Sequence, residues 1–346
     1  MQVLQCAAAE LLPILETIFN SSIELGHCPK QFRSSITVAL RKPGKEDYTS
    51  GKSYRLVALL NTIGKILDAI IAKRISYIAE TYELLPKTHL GGRKASSTDH
   101  TAHLLVEKVQ AGWNASAMGG VTTVLCLNVS GAFDYVSHSR LLHNLRKRCI
   151  DDKTVQWISS FLDSRSTSIR LSEYISENTR VNTGIPQGSP ISPILYLFYN
   201  ADLLDVCEST ELKTSAIGYI DDISLITASD SAETNCQRLA AIYTYCQDWE
   251  RKHAFKFNPA KYSLIHIPRR GTRKNAQYAL ELPGLAPIQP EEQCRYLGII
   301  LDTKLAWDQH IKHIQSRTAK SLEALASLAG STWGTSNQGP RQYTTP

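Results

Sequence analysis

The sequence predicts an α+β fold, in which helices and antiparallel strands fall in separate runs instead of alternating strictly. Two observations carry that expectation. Residues 121–129 and 216–227 are short, apolar and rich in β-branched side chains, as buried strands are. Around them lie segments whose apolar residues return every three or four positions, the period of an amphipathic helix.

The helices follow from that period. In 64–84, Ile66, Leu67, Ile70, Ile71, Ile75 and Ile78 form one stripe, with Lys73 and Arg74 on the polar side. Residues 97–112 and 137–149 read as two more. The span 230–255 turns Leu239, Ile242, Tyr243, Cys246 and Trp249 inward, and Asp230 and Glu233 stand at capping-box spacing. Residues 182–202 are a glycine- and proline-punctuated loop entering an apolar helix, with Ser189 and Ser192 as caps and Pro190 and Pro193 suited to its first turn. From Trp307 a basic helix carrying His310, Lys312, His313, Arg317 and Lys320 runs towards Gly330. The basic stretch 269–275 reads as a solvated loop, open to a phosphate contact.

Composition excludes more than it identifies. A chain of 346 residues can bury a large core as one big domain or two. A formal charge of +6 fits a polyanionic partner, but only mildly. The eight cysteines show no Cys-x-x-Cys pair, which argues against a zinc site or disulfide framework and for a reducing, intracellular setting in nucleus or cytoplasm. No run of about eighteen apolar residues exists and no basic stretch precedes the first apolar one, so neither a membrane span nor a signal peptide is expected. Gly51-Lys52-Ser53 suggests a phosphate-binding loop, but the required glycine at 46 is Glu46, whose charge would repel phosphate.

The chemistry concentrates at Tyr219-Ile220-Asp221-Asp222, two adjacent carboxylates within an apolar, alternating run. It reads as two strands joined by a tight turn with the acidic pair at its tip. Clustered carboxylates on such a support suit Mg²⁺, which prefers hard oxygen ligands. Alone, the pattern also fits an ordinary hairpin with acidic turn residues.

Its neighbours change the balance. Pro186-Gln187-Gly188 upstream, followed by Tyr219-Ile220-Asp221-Asp222, resembles motifs B and C of reverse transcriptases, and 125–136 (Leu-Cys-Leu-Asn-Val-Ser-Gly-Ala-Phe-Asp-Tyr-Val) resembles motif A. Residues 41–48, 53–68 and Leu90-Gly91-Gly92-Arg93 look like fingers segments of non-LTR (LINE-type) retrotransposon polymerases. Trp249, His253, Phe257 and Lys261 are similar to motif D, and 296–302 to motif E. The likeness covers residues 14–330, and its spelling is similar to elements of filamentous fungi.

The resemblance implies a right-hand polymerase with palm, fingers, an antiparallel palm sheet and a truncated thumb. Fingers and palm would occupy 1–290 (fingers mainly 1–118 and 140–180, palm mainly 119–139 and 181–290), motif E and the thumb's start 291–330, and a polar tail 331–346. It implies RNA-directed DNA polymerisation with two Mg²⁺ ions (Mn²⁺ as substitute), an RNA template, a DNA primer and deoxynucleoside triphosphates. Asp221 and Asp222 would hold metal with the Val129 carbonyl. Lys42, Arg55 and the backbone of Gly131 and Ala132 would bind the triphosphate, and Phe133 would exclude a 2′-hydroxyl. Gln187 and Gly188 would floor the nucleotide site, and Lys261 would protonate pyrophosphate. Two positions depart from the family: Asn128 stands where it has the motif A aspartate, and Leu56 where proline usually follows Tyr-Arg. An amide offers a metal a neutral oxygen but no charge. The expectation is therefore an impaired polymerase, against a non-catalytic nucleic-acid-binding remnant or, less favoured, a maturase or RNA-templated RNA polymerase.

Overall fold

The computed structural model describes residues 6–115, 120–129, 131–253, 255–269 and 277–328. The polar tail 331–346 and residues 270–275 of the basic loop lie outside the described residues. The elements run α1 (Ala8–Glu24), β1 (Ser34–Arg41), β2 (Tyr54–Leu60), α2 (Thr62–Thr81), α3 (Thr98–Asn114), β3 (Val121–Leu127), α4 (His138–Lys147) and α5 (Asp152–Leu162). There follow β4 (Arg165–Leu171), β5 (Tyr174–Ile175), β6 (Thr179–Val181), α6 (Ser192–Cys207), β7 (Thr214–Tyr219), β8 (Asp222–Ser229) and α7 (Ala232–His253). The last are β9 (Ser263–Pro268), β10 (Gln293–Tyr296), β11 (Ile299–Asp302) and α8 (Asp308–Leu328).

One sheet has the order β7-β8-β3-β9, with every pair antiparallel. Strand alternation sends its side chains to two different cores. Leu125, Leu225 and Leu264, aligned across three strands, join α6 and α7 in the larger one. Their neighbours Val124, Ile226 and Ile265 face α3 and the β10–β11 hairpin in the smaller. Both faces are covered, so the middles of β3 and β8 are buried on both sides, even at Thr122, Thr123, Ser224 and Thr227. The other sheet, β2-β1-β4-β5 with β6 beside β4, is mixed: β1 pairs antiparallel with β2 but parallel with β4.

Helix α6 is buried on nearly all sides, from Ser192 to Cys207. A helix without a polar face must sit inside the protein, and this one carries the sheet's larger core. Its start corrects the sequence reading: Ile191 holds the cap position with no side-chain cap, and Ser192 is the first helical residue. Ser189 accepts from the Ile191 N–H at 3.4 Å while donating to Asp68 of α2 at 2.5 Å. Likewise α7 is capped by Ser231, whose hydroxyl accepts from the Thr234 N–H at 3.1 Å, one residue past the Asp230 that the capping-box spacing suggested. No helix among the described residues is long and apolar enough to cross a membrane.

Candidate active site

The acidic pair lies at the β7–β8 connection, but not as the sequence suggested. Tyr219 pairs with Asp222, so the two turn residues are Ile220 and Asp221, and Asp222 already opens β8. Ile220 has φ +55°, a left-handed conformation that a β-branched residue adopts only when its surroundings impose it. Asn200, fully buried on α6, donates to the Ile220 carbonyl at 2.9 Å.

Strand β3 brings up the third member. Its last ladder pair is Leu127 with Ile223, and one step beyond stand Asn128 and Asp222, on strands spaced by about 4.8 Å. The Asn128 side-chain oxygen is buried and has no hydrogen-bond partner among the described residues. Val129, also buried, bridges to Phe257, and the Asn258 N–H donates to the Asn128 carbonyl at 2.8 Å. That pairing delivers Lys261 to the acidic turn. Loss of water pushes the Asp222 carboxyl up to about 6, with Asp221 beside it adding to the rise and Lys261 opposing it. Asp221 is raised too, chiefly by burial, again against Lys261. The three expected residues therefore share one floor, with an orphaned amide oxygen beside two carboxylates that resist being charged together. Such a donor set fits a hard divalent cation, with one charge fewer than three carboxylates would supply.

The residues expected to contact nucleotide are tied to one another. Gly131 (φ +60°) opens a turn in which the Asp134 N–H donates to its carbonyl at 2.9 Å. Ala132 is buried, and Phe133 stacks on Tyr196 of α6 with ring centroids 5.1 Å apart. The turn is locked to the following loop: the Ile185 N–H donates to the Phe133 carbonyl at 2.8 Å. Gln187 and Gly188 are exposed, yet the Ala58 N–H donates to the Gln187 carbonyl at 2.7 Å, tying that loop to β2. A Cβ on Gly188 would stand 2.6 Å from the Ala58 carbonyl oxygen, so only glycine allows this approach. Strand alternation puts Lys42, Leu40 and its partner Arg55 on one face of β1–β2. Val57 shares that face and lies 3.6 Å from the Gly188 Cβ position. Burial raises the Asp134 carboxyl and the Lys42 charge opposes part of that rise, which sets Lys42 near the Gly131 turn. Its ammonium donates to the Lys52 carbonyl at 2.9 Å, while Arg55 is exposed.

Sequence reasoning missed Asn200, Tyr196, Asp68 and Gly91. Tyr196 is fully buried with its hydroxyl unpartnered among the described residues, and burial first, then Asp221, raises it far above its usual value. Asn200 had a legible signal, being a lone amide in an apolar helix. Asp68 and Gly91 lie in segments that resemble the fingers, but their contacts with Ser189 and Ile220 were not legible, because those partners are distant in sequence.

Comparison with known proteins agrees with this geometry. Residues 40–301 match the family model described as reverse transcriptase (RNA-dependent DNA polymerase). The chain is 27% identical to the probable RNA-directed DNA polymerase from transposon BS of Drosophila melanogaster, over 93% of this chain and 36% of that protein. It is 29% identical to the RNA-directed DNA polymerase from mobile element jockey of the same species, over 88% of this chain and 33% of that protein. It thus spans about a third of the length of these curated relatives. Among solved structures, apo telomerase from Candida tropicalis, truncated from its C-terminal domain, aligns with TM-score 0.55 and 10% identity, over 80% of this chain and 55% of that one. That likeness speaks for the fold alone.

Proposed function

This chain belongs to the reverse transcriptase family, and from that premise we propose that it is the RNA-directed DNA polymerase domain of a non-LTR, LINE-type retroelement, impaired by Asn128. The observation that carries the proposal is the β3–β8 register, whose last pair Leu127–Ile223 leaves Asn128 and Asp222 as the next residues on the two strands. The motif spelling supports a filamentous-fungal source, and the scattered cysteines an intracellular setting.

Asp221, Asp222, the Val129 carbonyl and the Asn128 amide would hold two divalent cations, Mg²⁺ or Mn²⁺. When bound, these supply Lewis-acid activation of a primer hydroxyl and charge for departing pyrophosphate. The chain's own groups do the rest. Lys42 and Arg55, on one strand face, neutralise the triphosphate as the Gly131 and Ala132 amides approach it. Phe133, braced by Tyr196, closes the sugar pocket to a 2′-hydroxyl. Gln187 and Gly188 form the floor for template and nucleotide, and Lys261 is placed to give a proton to the leaving pyrophosphate. With an amide in place of the third carboxylate, the transition state loses several kcal/mol, about a thousandfold in rate.

Primer extension on an RNA template tests this reading. The native protein is expected to extend weakly and Asn128→Asp strongly. Robust synthesis by the native chain that Asp221→Ala abolishes would refute the impairment. The missing aspartate also favours a second reading, a nucleic-acid-binding remnant, recognised by salt-dependent binding without incorporation in either protein.

A further inference from the structure

We propose that Gly91 and Asn200 are positioning residues that clamp the Ile220–Asp221 turn from opposite sides and so aim Asp221 and Asp222. The proposal rests on the polymerase reading and deepens it.

The clamp has one jaw from the loop before α3. Residues 88–90 run beside β7 as a short extra strand: the Gly218 N–H donates to the Thr88 carbonyl at 2.9 Å, and the Leu90 N–H to the Gly218 carbonyl at 2.8 Å. The next residue, Gly91, lies directly against the turn. A Cβ there would stand 2.4 Å from the Ile220 nitrogen, 2.7 Å from its Cγ1 and 2.8 Å from the Tyr219 carbonyl carbon. Two of those three atoms are backbone, so a side chain could be admitted only by moving the turn itself. Arg93 anchors the loop, with both nitrogens of its fork on Glu80 at 2.7 and 2.6 Å and a further bond to the Pro86 carbonyl at 2.9 Å. The other jaw is Asn200, on the rigid, buried α6, donating to the Ile220 carbonyl at 2.9 Å.

Between the jaws sits a β-branched residue at φ +55°. Such a conformation is strained and persists only where neighbours over-determine it. Releasing either jaw lets Ile220 relax to negative φ, which rotates Asp221 and draws Asp222 out of register with Asn128.

The test uses Mn²⁺ alone as probe, counted by electron paramagnetic resonance of the free ion, on the native chain, Gly91→Ala and Asn200→Leu. Both variants are expected to melt cooperatively yet bind Mn²⁺ about 10- to 100-fold more weakly, while affinity for an RNA–DNA duplex stays within about twofold. Unchanged Mn²⁺ affinity in a folded variant overturns the clamp. So does loss of cooperative melting in both, because the residues would then hold the fold and not the carboxylates. A native chain that binds no Mn²⁺ counts against the polymerase reading instead. The clamp is then judged by the backbone chemical shifts of Ile220: a move from left-handed to ordinary values in the variants supports it, and unmoved shifts overturn it.

Discussion

Asn128 faces Asp222 one step past the end of the β3–β8 ladder, its side-chain oxygen buried and unbonded among the described residues. Restoring a carboxylate there has two opposite effects. Without metal, Asn128→Asp adds a third negative charge beside two carboxyls already raised chiefly by burial, so its melting temperature should fall below native in a chelator. With Mg²⁺ the added ligand should reverse that loss and raise primer extension by roughly a thousandfold. Paired melts with and without metal, beside the extension assay, check both halves.

The pH dependence has a definite sign. Asp222 titrates at about 6 in the folded protein, well above an unfolded aspartate. A proton and a cation compete for the same oxygens, so Mn²⁺ affinity should fall steadily as pH drops through about 6. Stability runs the other way. A carboxyl raised on folding subtracts stability at neutral pH, and protonation relieves that penalty on acidification. Asp222→Asn should therefore raise the melting temperature by roughly 2–4 °C at about pH 7.5 and by less at about pH 5. An equal shift at both values would show that charge is not the cause.

Tyr196 is predicted to be a stability liability kept for the site. Its buried hydroxyl lacks a partner among the described residues, and an unmade bond there costs about 1–3 kcal/mol. Tyr196→Phe should thus stabilise, read as a higher urea midpoint. Tyr196→Leu should instead loosen Phe133, whose ring it stacks against. In the Asn128→Asp background it should narrow the preference for deoxy- over ribonucleotides.

Much of this was legible in the sequence, because periodic burial is a local signal. The stripe from Ile66 to Ile78 marks α2, expected over 64–84 and found at Thr62–Thr81. The apolar runs around Asp221 and Asp222 mark β7 and β8. What escaped depends on contacts between distant residues. Nothing in Tyr219-Ile220-Asp221-Asp222 announces a left-handed isoleucine, since Gly91 and Asn200 impose it. Ser189 spells a helix cap, and its hydroxyl does accept from the Ile191 N–H, but nothing announces that it also donates to Asp68, 121 positions away. Asn128 was legible as a departure, but its partnership with Asp222 required the register.

The Asp68–Ser189 bond yields the last expectation. Asp68 is buried on α2, its carboxyl pushed up to about 6 by loss of water, with the buried Arg165 among the charges that restrain it. Arg165 has one guanidinium nitrogen unbonded among the described residues, so Asp68 is part of what makes its charge tolerable there. Asp68→Ala should leave the buried Ser189 hydroxyl without its acceptor, costing about 1–3 kcal/mol in urea unfolding at neutral pH. Asp68→Asn keeps an oxygen for the Ser189 hydroxyl and should cost distinctly less. Because Ser189 follows Gln187 and Gly188 directly, the alanine variant in the Asn128→Asp background should also raise the apparent KM for deoxynucleotides more than it lowers kcat. A fall in kcat alone would show that the loop is held by β2 through Ala58 and owes nothing to Asp68.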